Sequence, residues 1–211
     1  MQLSKDEQEF FSSVRGGDVK AVKRALRPEP YLVEFQDEQG ASPLHWSVRS
    51  GSYELITLLL ENGADVNTVD ENGETALHWA VEYTSESDFA EIVKILVGAE
   101  ADIDAQNKQG KTPLHEAVLD VSVTMASLLI ANGADVNIKD NKGYTPLHWA
   151  VCANIWDHEI PWHLKSVENL LQGGADLEVK TNEGETPLTL ANERNPGRPQ
   201  IADLLKRYGG K

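Results

Sequence analysis

The sequence predicts an all-α solenoid of stacked helix pairs joined by turn-bearing fingers, and three observations predict it. A four-residue block recurs as Ser42-Pro43-Leu44-His45, Thr75-Ala76-Leu77-His78, Thr112-Pro113-Leu114-His115, Thr145-Pro146-Leu147-His148 and Thr186-Pro187-Leu188-Thr189, in steps of 33, 37, 33 and 41 residues. A second block, Gly63-Ala64-Asp65-Val66-Asn67, returns as Gly133-Ala134-Asp135-Val136-Asn137, with looser copies at 100–104 and 174–178. Between the blocks, apolar residues fall at helical spacing, as Leu55, Ile56, Leu58 and Leu59 do within Tyr53 to Glu61.

Each element has a local reason. At the start, Ser4-x-x-Glu7 is a capping box that opens a helix over 4–15, and Gly16-Gly17 ends it. Asp18 to Arg27 makes a second helix with Lys20, Lys23, Arg24 and Arg27 on a polar outer surface. In the full repeats a Ser or Thr caps the first helix, and in all copies but the one with Ala76 Pro sits at its first position, where the missing N–H costs nothing. Ser50-Gly51 breaks that helix, Tyr53 to Glu61 forms the second, and Gly63 supplies a left-handed cap. Asp70-Glu71-Asn72-Gly73 is a turn that leads into the next Thr. One such unit has too little apolar surface to fold alone, so neighbours stack, and the polar end Lys206-Arg207-Tyr208 caps the array. The repeat boundaries read as 1–36, 37–69, 70–106, 107–139, 140–180 and 181–211, the first and last being caps of one continuous domain.

Thr-Pro-Leu-His blocks at a 33-residue period together with Gly-Ala-Asp-Val-Asn resemble the ankyrin repeat family over residues 37–211, and more weakly over 4–36. That resemblance implies stacked helix pairs with projecting β-hairpin fingers, and recognition of another protein by the concave face of finger tips and first helices. It also implies that His45, His78, His115 and His148 make structural hydrogen bonds at the helix starts and between repeats, and that Asp37, Asp65 and Asp70 organise the hairpins.

Composition narrows the function. Of 211 residues, 40% are hydrophobic and 25% charged, which is ordinary for a globular protein. The net charge of −15 argues against nucleic acid or an anionic membrane surface as partner. No run approaches the roughly 18 apolar residues of a spanning helix, and the first residues lack the apolar stretch of a signal peptide. The single cysteine, Cys152, excludes an internal disulfide and fits a reducing setting. The expectation is a monomer in the cytoplasm, with the nucleus as an alternative, and no cofactor.

Residues 28–107 hold 17 acidic and 2 basic residues, so the whole net charge sits there. By the resemblance Glu38, Glu71, Glu74 and Glu82 lie on or near the concave face, while later fingers carry Lys108, Lys111 and Lys142. One reading is solubility; the other is a partner whose basic patch faces the first two full repeats. Trp46, Trp79 and Trp149 each follow the motif His directly, with Glu116 and Leu190 in that place in the other two repeats. They read either as packing between repeats or as a ladder of anchors for a partner, with a finger-tip Tyr144 beside it.

The 37-residue step holds about four extra residues near 84–88, and the 41-residue step about eight near 155–162. Trp156 and Trp162 in the longer insertion read as an apolar plug or as an exposed anchor. A contrasting function is a metal-binding or enzymatic protein using the 154–163 loop. Its His158-Glu159-x-x-x-His163 spacing misses the one-turn separation of paired zinc ligands, and Pro161 disfavours a continuous helix there. No phosphate loop or nucleophile elbow occurs, so no residue is assigned a catalytic or metal-binding role. Glu100 stands where the matching units have Gly, which predicts either strain or an altered helix end.

Overall fold

The computed structural model describes residues 4–120, 122–152, 160–194 and 199–210. They divide into two compact units, Met1–Asp102 and Ile103–Lys211. The first unit contains α1 (Lys5–Arg15), α2 (Val19–Leu26), a 3-10 turn (Pro30–Glu34), α3 (Pro43–Arg49), α4 (Tyr53–Glu61), α5 (Ala76–Tyr83) and α6 (Glu86–Gly98). The second contains α7 (Pro113–Leu119), α8 (Val123–Ala131), α9 (Pro146–Cys152), α10 (Ile160–Gln172), α11 (Pro187–Arg194) and α12 (Pro199–Arg207).

Within each unit the helices pair in sequence and the pairs stack like on like. In the first, α1, α3 and α5 pack in a row, and α2, α4 and α6 in another; in the second, α7, α9 and α11 face α8, α10 and α12. The apolar stripes meet between the rows. Leu44, Val48, Leu55, Ile56, Leu59, Leu77, Phe89, Ile92 and Leu96 fill the core of the first unit, and Leu114, Leu129, Leu147, Val167, Leu170 and Leu205 that of the second, each essentially without exposed surface. No helix among the described residues is long and apolar enough to cross a membrane.

The capping box of Ser4 and Glu7 is present, and Asp18 caps α2. The motif histidines form a second kind of box. His45 Nδ1 accepts the Ser42 backbone N–H at 3.1 Å, and the same bond joins Thr75 to His78 (3.2 Å), Thr112 to His115 (3.0 Å) and Thr145 to His148 (3.1 Å). Because a backbone N–H only donates, Nδ1 carries no proton, and the Nε2 N–H is free to donate. It reaches the next repeat: His45 to Glu74 O at 2.9 Å, His115 to Tyr144 O at 3.2 Å and His148 to Glu185 O at 3.3 Å. In the 181–211 segment Thr189 stands in place of His. Its hydroxyl still accepts the Thr186 N–H at 2.8 Å.

The fingers are turns more than ribbons. Among the described residues the one β-bridge is Val69 with Thr75. In each finger one side-chain oxygen adds to the backbone bonds that close the turn, such as Asp70 N–H to Glu74 O at 2.9 Å. Oδ1 of Asp37 accepts the N–H groups of Gln39 and Ala41, that of Asp70 those of Asn72 and Glu74, and that of Asp140 those of Lys142 and Tyr144. Asn107 does the same with its amide oxygen, and Thr181 with its hydroxyl.

The two insertions differ from expectation in an instructive way. The second helices α6 and α10 have 13 residues, against nine in α4 and α8. The four extra residues of the 70–106 repeat therefore add one turn to the start of α6, capped by Ser85, and make no loop. Half of the longer insertion is likewise absorbed into α10. Pro161 lies in the first turn of that helix, where its lack of an N–H is harmless. Residues 153–159, with Trp156 and His158, lie outside the described residues.

Glu100 shows the strain its position implies. Its φ is +65°, the one non-glycine in the left-handed region among the described residues, and the Ala101 N–H still reaches Leu96 O as Ala64 reaches Leu59 O after Gly63. Glu100→Gly is expected to stabilise the protein by about 0.5–1 kcal/mol, read as a rise in Tm of about 1–4 °C. An unchanged or lower Tm would show that the chain bears this conformation without strain.

Candidate protein-binding face

The Trp row is built into the fingers. Trp46 donates its indole N–H to Asp37 Oδ2 at 2.8 Å, Trp79 to Asp70 Oδ2 at 3.1 Å and Trp149 to Asp140 Oδ2 at 2.9 Å. One carboxylate thus closes the finger with Oδ1 and fixes the indole with Oδ2. Where Glu116 replaces Trp, Asn107 replaces Asp and the polarity reverses, the Asn107 amide donating to Glu116 at 3.4 Å. Where Leu190 stands there is no donor, and Thr181 takes the finger position. The two positions, nine residues apart, change together.

Cations lie over the indole faces. The Arg15 guanidinium sits 4.1 Å from the Trp46 ring centroid and pairs with Asp37 at 2.6 Å. Arg49 lies 5.3 Å from Trp46 and 4.4 Å from Tyr83. Lys111 and Lys142 approach Trp149 at 5.4 and 6.0 Å. Arg15 and Arg49 are the last residues of α1 and α3. The helix-ending arginines and the nine-residue Asp-to-Trp spacing are the sequence signals that find these partners, and Tyr83 carries none.

The expected site residues separate into groups. Trp79 is 4% exposed, wedged edge-on against Trp46 (5.3 Å), His45 (5.1 Å) and Tyr83 (5.2 Å), so it offers a partner little surface. Trp46 and Trp149 are half-buried. Tyr144 is not at a finger tip. It is 7% exposed, its ring lies 5.1 Å from Trp149, and Asp140 accepts its backbone N–H. Lys111 is half-buried and pairs with Glu116 at 3.5 Å; Lys108 and Lys142 are exposed. Trp162 falls in the first turn of α10, and Trp156 lies outside the described residues.

In the first unit the face of fingers and first helices holds two open hollows. One, of about 410 Å³, is lined by Gln8, Arg15, Asp37, Glu38, Gln39 and Trp46. The other, of about 470 Å³, gathers Glu71, Glu74 and Glu82 with Asp70, Arg49, Trp79 and Tyr83. The structure thus brings three of the four expected carboxylates together and sets Glu38 in the neighbouring hollow. Burial, then the hydrogen bond to Glu82, pushes the Tyr83 hydroxyl up to about 12, so the ring stays neutral.

No three His, Cys, Asp or Glu side chains among the described residues come together in a way that suits a metal ion. Cys152 is half-buried in α9, and His163 is buried in α10.

Stacked helix pairs with His-bridged caps and Asp-closed fingers define a class, a helical repeat protein whose first helices and fingers share one face. A family model of ankyrin repeats matches residues 10–104 and 83–181, and the chain belongs to the ankyrin repeat family. Ankyrin repeats are generally protein–protein interaction modules. An ankyrin repeat domain from Acinetobacter baumannii superposes with a TM-score of 0.82 at 27% identity, covering 97% of this chain and 100% of that one. Over 74 residues, 35% of this chain, the sequence is 39% identical to a Caenorhabditis elegans transient receptor potential cation channel subfamily A member 1 homolog. Over 71 residues, 34% of this chain, it is 37% identical to mouse protein phosphatase 1 regulatory subunit 27. The matches span 6% of the worm protein and 46% of the mouse one.

Proposed function

We propose that this chain is a non-catalytic recognition module, and that the face of fingers and first helices in the Met1–Asp102 unit binds a protein with a basic patch. The observation that carries the reading is the charge of that face. Glu38, Glu71 and Glu82 are exposed and Glu74 is half-exposed on it, while the finger aspartates beneath are consumed by indole and backbone N–H groups. Solubility alone does not require this charge to gather around hollows edged by aromatic rings. The mouse relative is named as a regulatory subunit, which fits a protein acting by binding.

The mechanism is rigid-scaffold recognition. Half-buried Trp46 is the aromatic anchor of this unit, and the carboxylates steer orientation and association rate. In the second unit Lys108, Lys142 and Trp149 give a face of different charge. The protein acts as a monomer in the cytoplasm, where its lone thiol stays reduced.

Affinity capture from the source lysate tests this, with wild type set beside the Glu38→Lys/Glu71→Lys/Glu82→Lys variant. A protein retained by wild type and lost by the variant, which melts normally, is the expected result. Equal capture by both would move the site off this face.

A further inference from the structure

The sequence holds three Asn-Gly pairs, Asn62-Gly63, Asn72-Gly73 and Asn132-Gly133. Such a pair carries its own nucleophile and electrophile. The backbone nitrogen of the glycine can attack Cγ of the asparagine, and with no Cβ on the glycine nothing crowds the approach. The structure treats the three pairs differently, and the difference lies in the asparagine side chain.

Asn62 and Asn132 are the C-caps of α4 and α8. Each turns its amide back on its own helix, Asn62 Nδ2 donating to Leu58 O at 2.7 Å and Asn132 Nδ2 to Leu128 O at 2.8 Å. Asn72 is exposed on the finger of the 70–106 repeat, where Asp70 Oδ1 accepts its backbone N–H at 2.8 Å. Its side-chain amide has no hydrogen-bond partner among the described residues. The glycine nitrogens do not separate the pairs. Gly63 N–H reaches Leu60 O, Gly73 N–H reaches Asp70 O and Gly133 N–H reaches Ile130 O, each at 3.0 Å. At position 72 the side chain can therefore swing toward the glycine nitrogen without first giving up a bond. The other fingers place Gln39, Gln109, Lys142 or Glu183 before their glycine, and none of these closes a five-membered ring.

We infer that Asn72 is a site of spontaneous deamidation in the folded protein, and that the helix caps protect Asn62 and Asn132. The Gly73 nitrogen bonds to Asn72 Cγ, the Cγ–Nδ2 bond breaks, and the Gly73 amide proton leaves with the side-chain nitrogen as ammonia. Water then opens the cyclic imide at one carbonyl to give aspartate, or at the other to give isoaspartate. Either product adds a negative charge to the hollow that Asn72 lines with Glu71, Glu74 and Glu82. A carboxylate side chain fits this place, as Glu183 does in the 181–211 finger with its N–H on Thr181. Isoaspartate instead routes the main chain through Cβ. That puts one extra carbon between the two N–H groups, of residues 72 and 74, that Asp70 Oδ1 accepts.

Incubation of the folded protein in mildly alkaline buffer, followed by tandem mass spectrometry of its digest, tests the assignment. Asn72 is expected to convert at least about fivefold faster than Asn62 and Asn132, the factor that one amide hydrogen bond is worth. In denaturant, where the caps are lost, the three should convert within about twofold of one another. Asn72→Gln places there the residue type of Gln39 and Gln109. It should remove the first acidic species that ion exchange resolves and leave the melting temperature unchanged. Conversion of Asn62 or Asn132 as fast as Asn72 in the folded protein overturns the assignment. So does a folded protein in which Asn72 stays intact while the denatured chain converts, or an Asn72 that leads by the same factor in denaturant.

Discussion

Gly110→Ala is expected to destabilise the protein by about 3 kcal/mol, more than any exposed substitution. Gly110 has φ +77°, a conformation that strains every side chain, and a Cβ there would stand 2.6 Å from the backbone N and side-chain Oδ1 of Asn141 and 3.0 Å from the Asp140 carbonyl carbon. That backbone belongs to the following finger and is tied by Asn141 N–H to Gln109 O at 3.0 Å. The conformational penalty is about 1 kcal/mol. The rest comes from pushing two fingers apart and losing a bond worth about 1 kcal/mol. Gly133 separates the terms. Its φ is +97°, yet a Cβ there meets nothing within 4 Å, so Gly133→Ala should cost only about 1 kcal/mol. Denaturant titration of both variants checks this, and equal losses would show that contact between successive fingers contributes nothing.

His45→Ala is expected to cost about 3 kcal/mol at neutral pH. The ring is fully buried; its Nδ1 accepts from the Ser42 N–H and hydroxyl, and its Nε2 bonds Glu74 O. His45→Thr should cost less, because Thr189 shows that a hydroxyl can close the cap on its own. What Thr loses is the bridge to the next repeat. The Glu74 carbonyl keeps a partner, since the Asp70 N–H also reaches it at 2.9 Å.

The penalty also depends on pH, in a direction the geometry sets. Burial holds the His45 imidazole below its ordinary value of 6.5, against the opposing pull of the Glu74 carbonyl and of Asp70 and Asp37. Above that value both folded and unfolded histidine are neutral and the stabilisation is whole. Below it the unfolded chain takes up a proton that the folded chain refuses, so stability falls with falling pH. The cost of His45→Ala should therefore shrink between about pH 7.5 and about pH 5.5. A cost that stays constant or grows would show that the folded ring is protonated.

The helix pairs were legible because their signals are local. The caps, the left-handed glycines and the helical spacing of apolar residues each act within a few positions, and the period then repeats them. The bridging role of the histidines followed from the family resemblance, and it is found at His45, His115 and His148. The Trp row was harder to read. Sequence spacing aligns Trp46, Trp79 and Trp149 but says nothing of depth, and Trp79 is covered by rings that come from three different positions. Tyr144 is buried where the spacing predicts a finger tip. Its ring is covered by Trp149 and His148, a contact that sequence spacing does not show. The insertions were legible in length only. Extra residues beside a helix start extend the helix when a cap such as Ser85 precedes them, and a Pro in the first turn does not oppose that.

The measurement that bears most directly on the acidic face is the affinity of the captured partner for wild type and for the Glu38→Gln/Glu71→Gln/Glu82→Gln variant, taken across a range of salt. Neutralising three carboxylates should weaken binding by at least about tenfold at low ionic strength, and the difference should close as salt rises. Equal affinity for the two proteins, or a difference that salt does not alter, would contradict recognition of a basic partner by this face.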